Sequence, residues 1–214
     1  MESPLRPPPD PGFRLIETFR WEPGKGIIRR NKHLARLTRS AAAFGIDLQG
    51  VNAALDRLSG STPLRVRLTV DAAGRAEVTT AAFAPLPEGT VWRIAIAPER
   101  LAAGDPWLRV KTTQRHLYDT ARASLPEGVD EFIFLNERAE LCDGTITNLF
   151  ARIGPDLMTP PVSCGLLPGV LREVLLSEGR AIERTLTTDD LSNATALYVG
   201  NSLRGLIPAR LVHL

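Results

Sequence analysis

The 214-residue chain is 43% hydrophobic and 23% charged, enough for one large or two small domains with cores of their own. Its 26 basic and 24 acidic side chains leave a net charge of +2, too small for a nucleic-acid or membrane-surface footprint, so small anions are the expected partners. Cys142 and Cys164 lack CxxC spacing, which argues against a metal site or a disulfide framework and fits a reducing cytoplasm, and no apolar run reaches the ~18 residues of a membrane span.

Residues 1–12 are proline-rich and polar where a signal peptide needs an apolar stretch, and are expected to be a disordered tail. Residues 13–98 read as a small α+β domain. Alternation over 13–21 predicts a strand, and residues 27–30 its partner after the turn at Pro23 to Gly26. Asn31 is a candidate N-cap for a helix with Leu34, Leu37, Ala41 and Phe44 on one face, closed by Gly45 at C′. A shorter helix is expected over 51–58. Runs 64–71 and 75–83 alternate around Ala72-Ala73-Gly74, a hairpin turn with glycine where positive φ is needed, and 91–97 adds a strand.

Residues 99–106, with Gly104-Asp105-Pro106, read as an interdomain linker. A larger mixed-sheet domain is expected over 107–214, with strands at 107–110, 130–136, 146–153 and 195–200. Helices are expected at 115–124, 169–178 and 189–193, and there is no internal repeat.

Two groups carry the chemistry. Lys111 follows the apolar run Trp107-Leu108-Arg109-Val110, which would carry its amine inward, where desolvation lowers its pKa towards the range useful for imine exchange. The alternative is a solvated surface lysine. Asp143, in Asp143-Gly144-Thr145-Ile146-Thr147-Asn148, is either a turn residue or part of a polar floor with those hydroxyls and that amide. A lysine amine able to form a Schiff base and a carboxylate able to sit under a pyridinium nitrogen are what an enzyme using pyridoxal 5′-phosphate (PLP) must supply. The loop from Gly165 to Gly169 leads into a helix whose first amides, at Val170 and Leu171, make a phosphate cradle, and Ser202 adds a hydroxyl. By default Arg36 is an exposed helix residue and Arg115 a surface residue on a first helical turn.

In these residues the chain resembles the class IV (fold type IV) PLP enzymes, among them branched-chain and D-amino acid aminotransferases and 4-amino-4-deoxychorismate lyase. The resemblance runs through Ile16-Glu17-Thr18, His33-Leu34-Ala35-Arg36-Leu37 with Ser40-Ala41, and Lys111-Thr112-Thr113-Gln114-Arg115. It continues through Phe134-Leu135-Asn136-Glu137-Arg138, Asp143 to Phe150, Gly165 to Arg172, and Asn201-Ser202-Leu203-Arg204-Gly205. It implies a two-domain α+β fold like that of D-amino acid aminotransferase, a PLP cofactor and a cytoplasmic homodimer. It also implies that Lys111 holds the cofactor and shuttles the proton, that Arg36 grips the cofactor phosphate, and that Val170, Leu171 and Ser202 complete the phosphate cup. Asp143 stands where the family usually has a glutamate facing the pyridine nitrogen. One methylene shorter, it would reach the ring through an inward backbone shift or a water.

Within the family the motifs look most like the lyase, with Arg115 and Arg204 as holders of the substrate's two carboxylates. An aminotransferase of branched-chain or D-amino acids and a non-catalytic PLP-binding protein stay open as alternatives. The family's early strand and loop ahead of Ile16-Glu17-Thr18 are missing here. That difference would widen the substrate entrance, call on a partner subunit, or leave a PLP binder without the original activity.

Overall fold

The computed structural model describes residues 5–8 and 10–214, so part of the tail expected over 1–12 lies outside the described residues. Residues 10–12 are ordered in a turn: the Asp10 carboxylate accepts the Gly12 amide at 2.7 Å, and its carbonyl accepts the Phe13 amide at 3.0 Å. The chain divides into two compact units, Met1–Pro85 with Val110–Gln114, and Leu86–Arg109 with Arg115–Leu214.

The first unit is an antiparallel sheet in the order β2-β1-β3-β4, formed by β1 (Arg14–Glu22), β2 (Gly26–Ile27), β3 (Leu64–Asp71) and β4 (Ala76–Ala82). Helices α1 (Arg30–Phe44) and α2 (Val51–Asp56) complete it. The expected hairpin between β3 and β4 is present, and Gly74 adopts φ +83°, where an added Cβ would stand 1.8 Å from the Asp47 carbonyl oxygen. Helix α1 starts one residue before the expected cap: Arg29, at φ 59°, is the N-cap, and its carbonyl accepts the Lys32 and His33 amides. Asn31 therefore lies inside the helix, and the strand expected over 27–30 ends at Ile27. The buried face of α1 is His33, Arg36, Leu37, Ser40, Ala41 and Phe44, a 3.6-residue stripe that is half polar, with Leu34 at its margin.

The second unit is a mixed sheet of eight strands in the order β10-β9-β8-β11-β12-β5-β6-β7. They are β5 (Trp92–Leu101), β6 (Glu131–Asn136), β7 (Leu141–Gly144), β8 (Asn148–Ile153), β9 (Asp156–Thr159), β10 (Ile182–Glu183), β11 (Ala196–Asn201) and β12 (Gly205–Leu211). Because β7 also pairs with β8, the strands from β8 through β11, β12, β5 and β6 to β7 close on themselves. Around them stand α3 (His116–Ala123), α4 (Val170–Ser177) and α5 (Thr188–Asn193). All of β6 is buried: Ile133 and Leu135 join one apolar cluster, Phe132 and Phe134 another. This is the pattern of a strand covered on both faces.

Three expectations over 86–114 are corrected. The strand expected over 91–97 belongs to the second unit, because it pairs in parallel with β12 and β6, and no local pattern reveals such distant partners. Residues 99–101 of the supposed linker continue that strand across an irregularity between Ile96 and Arg100, where Pro98 can donate no ladder bond. The supposed strand over 107–110 is a 3₁₀ turn, Pro106–Arg109, started by Asp105, whose carboxylate accepts the Trp107 amide at 2.9 Å. The two-domain division at 98 and 107 gives way to units that the chain leaves and re-enters.

Gly165, at φ +88°, has no room for a side chain, since an added Cβ would lie 2.6 Å from the Ala103 Cα. Gly154, at φ +60°, meets nothing within 4 Å. Gly165→Ala is expected to cost about 2 kcal/mol or more and Gly154→Ala about 1 kcal/mol, read from urea midpoints at unchanged slope. Equal losses would show that the approach to Ala103 is not tight.

Candidate active site

In the first unit the predicted residues converge on the start of β1. Segment 110–114 runs antiparallel to it: the Ile16 amide donates to the Lys111 carbonyl at 2.8 Å, Thr112 stands opposite Leu15, and the Thr113 amide donates to the Arg14 carbonyl at 2.9 Å. The Thr113 hydroxyl accepts the Arg14 amide at 2.9 Å, and the buried Thr112 hydroxyl accepts the Gln114 amide at 3.1 Å. The two threonines thus fix the backbone on which half-buried Lys111 stands. The chain has three lysines, Lys25, Lys32 and Lys111. Lys25 is exposed in the β1–β2 turn, where it pairs with Glu22, and Lys32 lies in the first turn of α1.

Arg36 is buried on α1, contrary to its default exposed reading, and meets Glu17 of β1 in a two-pronged pair, Nε to Oε1 at 2.8 Å and Nη2 to Oε2 at 2.6 Å. His33, one turn earlier, places Nδ1 2.6 Å from the same Oε2. Burial pushes the Glu17 carboxyl up, but the Arg36 charge and the hydrogen bonds from His33 and Arg36 outweigh it and hold the pKa below the ordinary carboxylate value. Burial also lowers the His33 pKa, which the Glu17 hydrogen bond and charge only partly offset. An ionised carboxylate only accepts, so Nδ1 is the donor and carries the proton of a neutral ring. Glu17 thus engages Nε and Nη2 of a guanidinium that carries five N–H donors in all.

In the second unit Asp143 is the penultimate residue of β7, opposite Asn148 at the start of β8, and is 3% exposed. The expected polar floor exists, but its hydroxyls serve a different carboxylate. Glu131, 0% exposed at the start of β6, accepts the Thr145 amide at 3.0 Å, the Thr145 hydroxyl, the Ile146 amide at 3.2 Å and the Thr147 hydroxyl at 2.9 Å. Gly144 is required there, since an added Cβ would lie 2.8 Å from the Glu131 carboxyl carbon. Asp143 instead accepts the Tyr118 hydroxyl at 3.1 Å on Oδ1 and the Leu167 amide at 3.0 Å on Oδ2. Burial raises the Tyr118 pKa well above its ordinary value, and the Asp143 charge and hydrogen bond add to the effect, so the phenol stays a donor.

The Leu167 carbonyl accepts the Asn148 side-chain amide at 2.9 Å, so the facing pair Asp143 and Asn148 grips both ends of one residue. That grip sets the loop into α4, whose N-cap Gly169 could not carry a Cβ, which would fall 1.9 Å from Asn148 Oδ1. Val170 and Leu171 open the helix with buried side chains, leaving their amides at its N-terminus. Asn201, at the β11–β12 turn beside buried Ser202, donates to the Ile146 carbonyl at 3.2 Å. Asp143, the Leu167–Leu171 loop and the 201–205 turn are thus tied to one hairpin end.

The two candidate carboxylate holders differ. Arg115 Nε pairs with Asp119 at 2.8 Å and Nη2 donates to the Thr145 carbonyl at 2.6 Å, so its guanidinium is already engaged by the protein. The half-buried Arg204 guanidinium makes no hydrogen bond or ion pair among the described residues. Sequence reasoning overlooked Glu131 and the pairing of Glu17 with His33 and Arg36. A glutamate closing Asp130-Glu131 ahead of an apolar strand, fourteen residues before a Thr-x-Thr loop, was the available signal.

The amino-transferase class IV family model matches residues 14–212. A solved structure from Mesorhizobium loti, named "Putative amino-acid aminotransferase", is 47% identical with a TM-score of 0.88, covering 94% of this chain and 100% of that one. A "Putative branched-chain-amino-acid aminotransferase" of Methanocaldococcus jannaschii is 33% identical over 86 residues, 38% of this chain and 30% of that protein. The aminodeoxychorismate lyase of Bacillus subtilis is 32% identical over 83 residues, 36% of this chain and 28% of that protein. The matches to these two curated relatives therefore span less than a third of their length.

Because the folded pKa of His33 is lowered, its contribution to stability is fully present above the ordinary histidine value of about 6.5 and is lost as pH falls from there. Glu17 adds a loss only below about 4.3. His33→Asn is expected to flatten unfolding free energy against pH just below about 6.5. An unchanged slope would mean that His33 is charged in the folded protein.

Proposed function

We propose that this chain, which belongs to the class IV aminotransferases, cleaves 4-amino-4-deoxychorismate to 4-aminobenzoate and pyruvate. The family is PLP-dependent. The observation that carries the reading is the buried Asp143 carboxylate, held by a donor on each oxygen at the hairpin that also fixes the α4 N-terminus. Fixed negative charge suits a protonated ring nitrogen, and helix amides suit a phosphate, so the residues fit the cofactor. PLP, when bound, supplies an electron sink for the carbon that loses its proton.

The remaining work falls to side chains. Lys111 is the base that removes the proton from the substrate's amine-bearing ring carbon and the acid that delivers one to the methylene carbon of the departing pyruvate, while Lys25 is engaged in a surface ion pair. Arg36, oriented by Glu17, neutralises phosphate charge, and Val170, Leu171 and Ser202 cup it. Arg204 holds a substrate carboxylate with its unpaired fork. Arg115 supports the Thr145 carbonyl and reaches a second carboxylate only by exchanging Asp119. Loss of pyruvate leaves an aromatic ring, which makes the step irreversible.

A second reading, transfer of the amino group to a 2-oxo acid, is favoured by the M. loti relative and by the engagement of Arg115, which leaves one ready carboxylate holder. Incubating the PLP-loaded protein with 4-amino-4-deoxychorismate and no oxo acid separates the two. The expected result is pyruvate and 4-aminobenzoate in equal amounts, at a rate that Lys111→Ala lowers by about a thousandfold. Turnover only after adding 2-oxoglutarate or pyruvate would replace the lyase by the aminotransferase.

A further inference from the structure

We infer that Tyr118 is a positioning residue for Asp143, its hydroxyl fixing the carboxylate in the orientation that holds the cofactor's ring nitrogen. The inference rests on the assignment of Asp143 to that nitrogen and adds a residue that acts through it. The Tyr118 hydroxyl donates to Oδ1 at 3.1 Å from α3, and the Leu167 amide donates to Oδ2 at 3.0 Å from the loop before α4. One donor on each oxygen, from two separate elements, stops the carboxylate from turning about its Cβ–Cγ bond without losing a charge-assisted hydrogen bond. The Tyr118 ring is itself fixed. Its centroid lies 5.1 Å from that of Phe134 in an edge contact, and the Arg115 guanidinium carbon stands 5.6 Å over its face.

Arg115 is anchored in turn to the Thr145 carbonyl, in the loop that Glu131 clamps. The phenol keeps its proton because burial and the neighbouring Asp143 charge both oppose ionisation. It therefore donates throughout the working pH range and needs no second charge. Apolar packing alone would be served by phenylalanine at this position. The hydroxyl has a separate use, because without it Oδ1 loses the donor that α3 supplies, a contact that opposes rotation of the carboxylate.

The test compares the affinity of PLP with that of an analogue carrying CH in place of the ring nitrogen. Dissociation constants are measured by absorbance on cofactor-free wild type, Tyr118→Phe and Phe134→Leu, each with its melting temperature. Wild type is expected to prefer PLP by about a hundredfold, and Tyr118→Phe to lower that preference by about tenfold while binding the analogue unchanged. Phe134→Leu loosens the packing but keeps the hydroxyl, so it is expected to melt lower with the preference intact. A preference in Tyr118→Phe equal to wild type overturns the role of Tyr118 and leaves Asp143 at the ring nitrogen. A wild type with no preference overturns the Asp143 assignment, and the role of Tyr118 with it. If Tyr118→Phe does not fold, Phe134→Leu decides: loss of preference there, with the hydroxyl present, overturns the inference.

Discussion

The second unit depends on one buried carboxylate. Glu131 sits at the start of a strand with no exposed residue and binds two amides and two hydroxyls of the loop joining β7 to β8. An uncompensated buried charge would be strongly destabilising; the loop's donors, together with the Arg122 guanidinium at 3.4 Å, supply the carboxylate's partners. That requirement explains Thr145, Thr147 and the bare Gly144 together. It also fixes where Asp143 and Asn148 stand, and these two grip Leu167 and set the start of α4. The carboxylate proposed to face the cofactor is thus positioned through a loop that a second buried carboxylate holds.

The first unit repeats the device with different partners. Glu17 is buried in β1 and neutralised by Arg36, with His33 as a neutral donor. A pair of this kind adds little net stability compared with apolar packing, but removing one partner leaves a buried charge unmet. Its effect is to orient a guanidinium on a helix face that would otherwise be leucine and alanine. Beside it, the pairing of 110–114 with β1 fixes the main chain at Lys111 through the two threonines that follow it.

Much of this was legible in local pattern. The α1 stripe, the β3–β4 turn at Gly74, the Gly45 cap and the motifs around Lys111, Asp143 and Ser202 all announce themselves within short windows. What stayed hidden depends on distant residues. The Tyr118–Asp143 contact spans 25 positions and Glu131–Thr145 spans 14, and no periodicity connects them. The hydroxyls of Thr145 and Thr147 were assigned to the nearer carboxylate in sequence, whereas the sheet brings Glu131 beneath them. The placement of 91–97 failed for the same reason. Parallel pairing with β12 and β6 draws the strand into the second unit, while Pro98 mimics a boundary.

The central claim is that the amine of Lys111 is the group that holds the cofactor. Reducing the PLP-loaded protein with borohydride, digesting it and weighing the peptides tests this directly, because the chain offers only Lys25 and Lys32 as other side-chain amines. The added pyridoxyl mass is predicted on the peptide containing Lys111 and on no other. A label on Lys25 or Lys32, with Lys111 unmodified, would contradict the account.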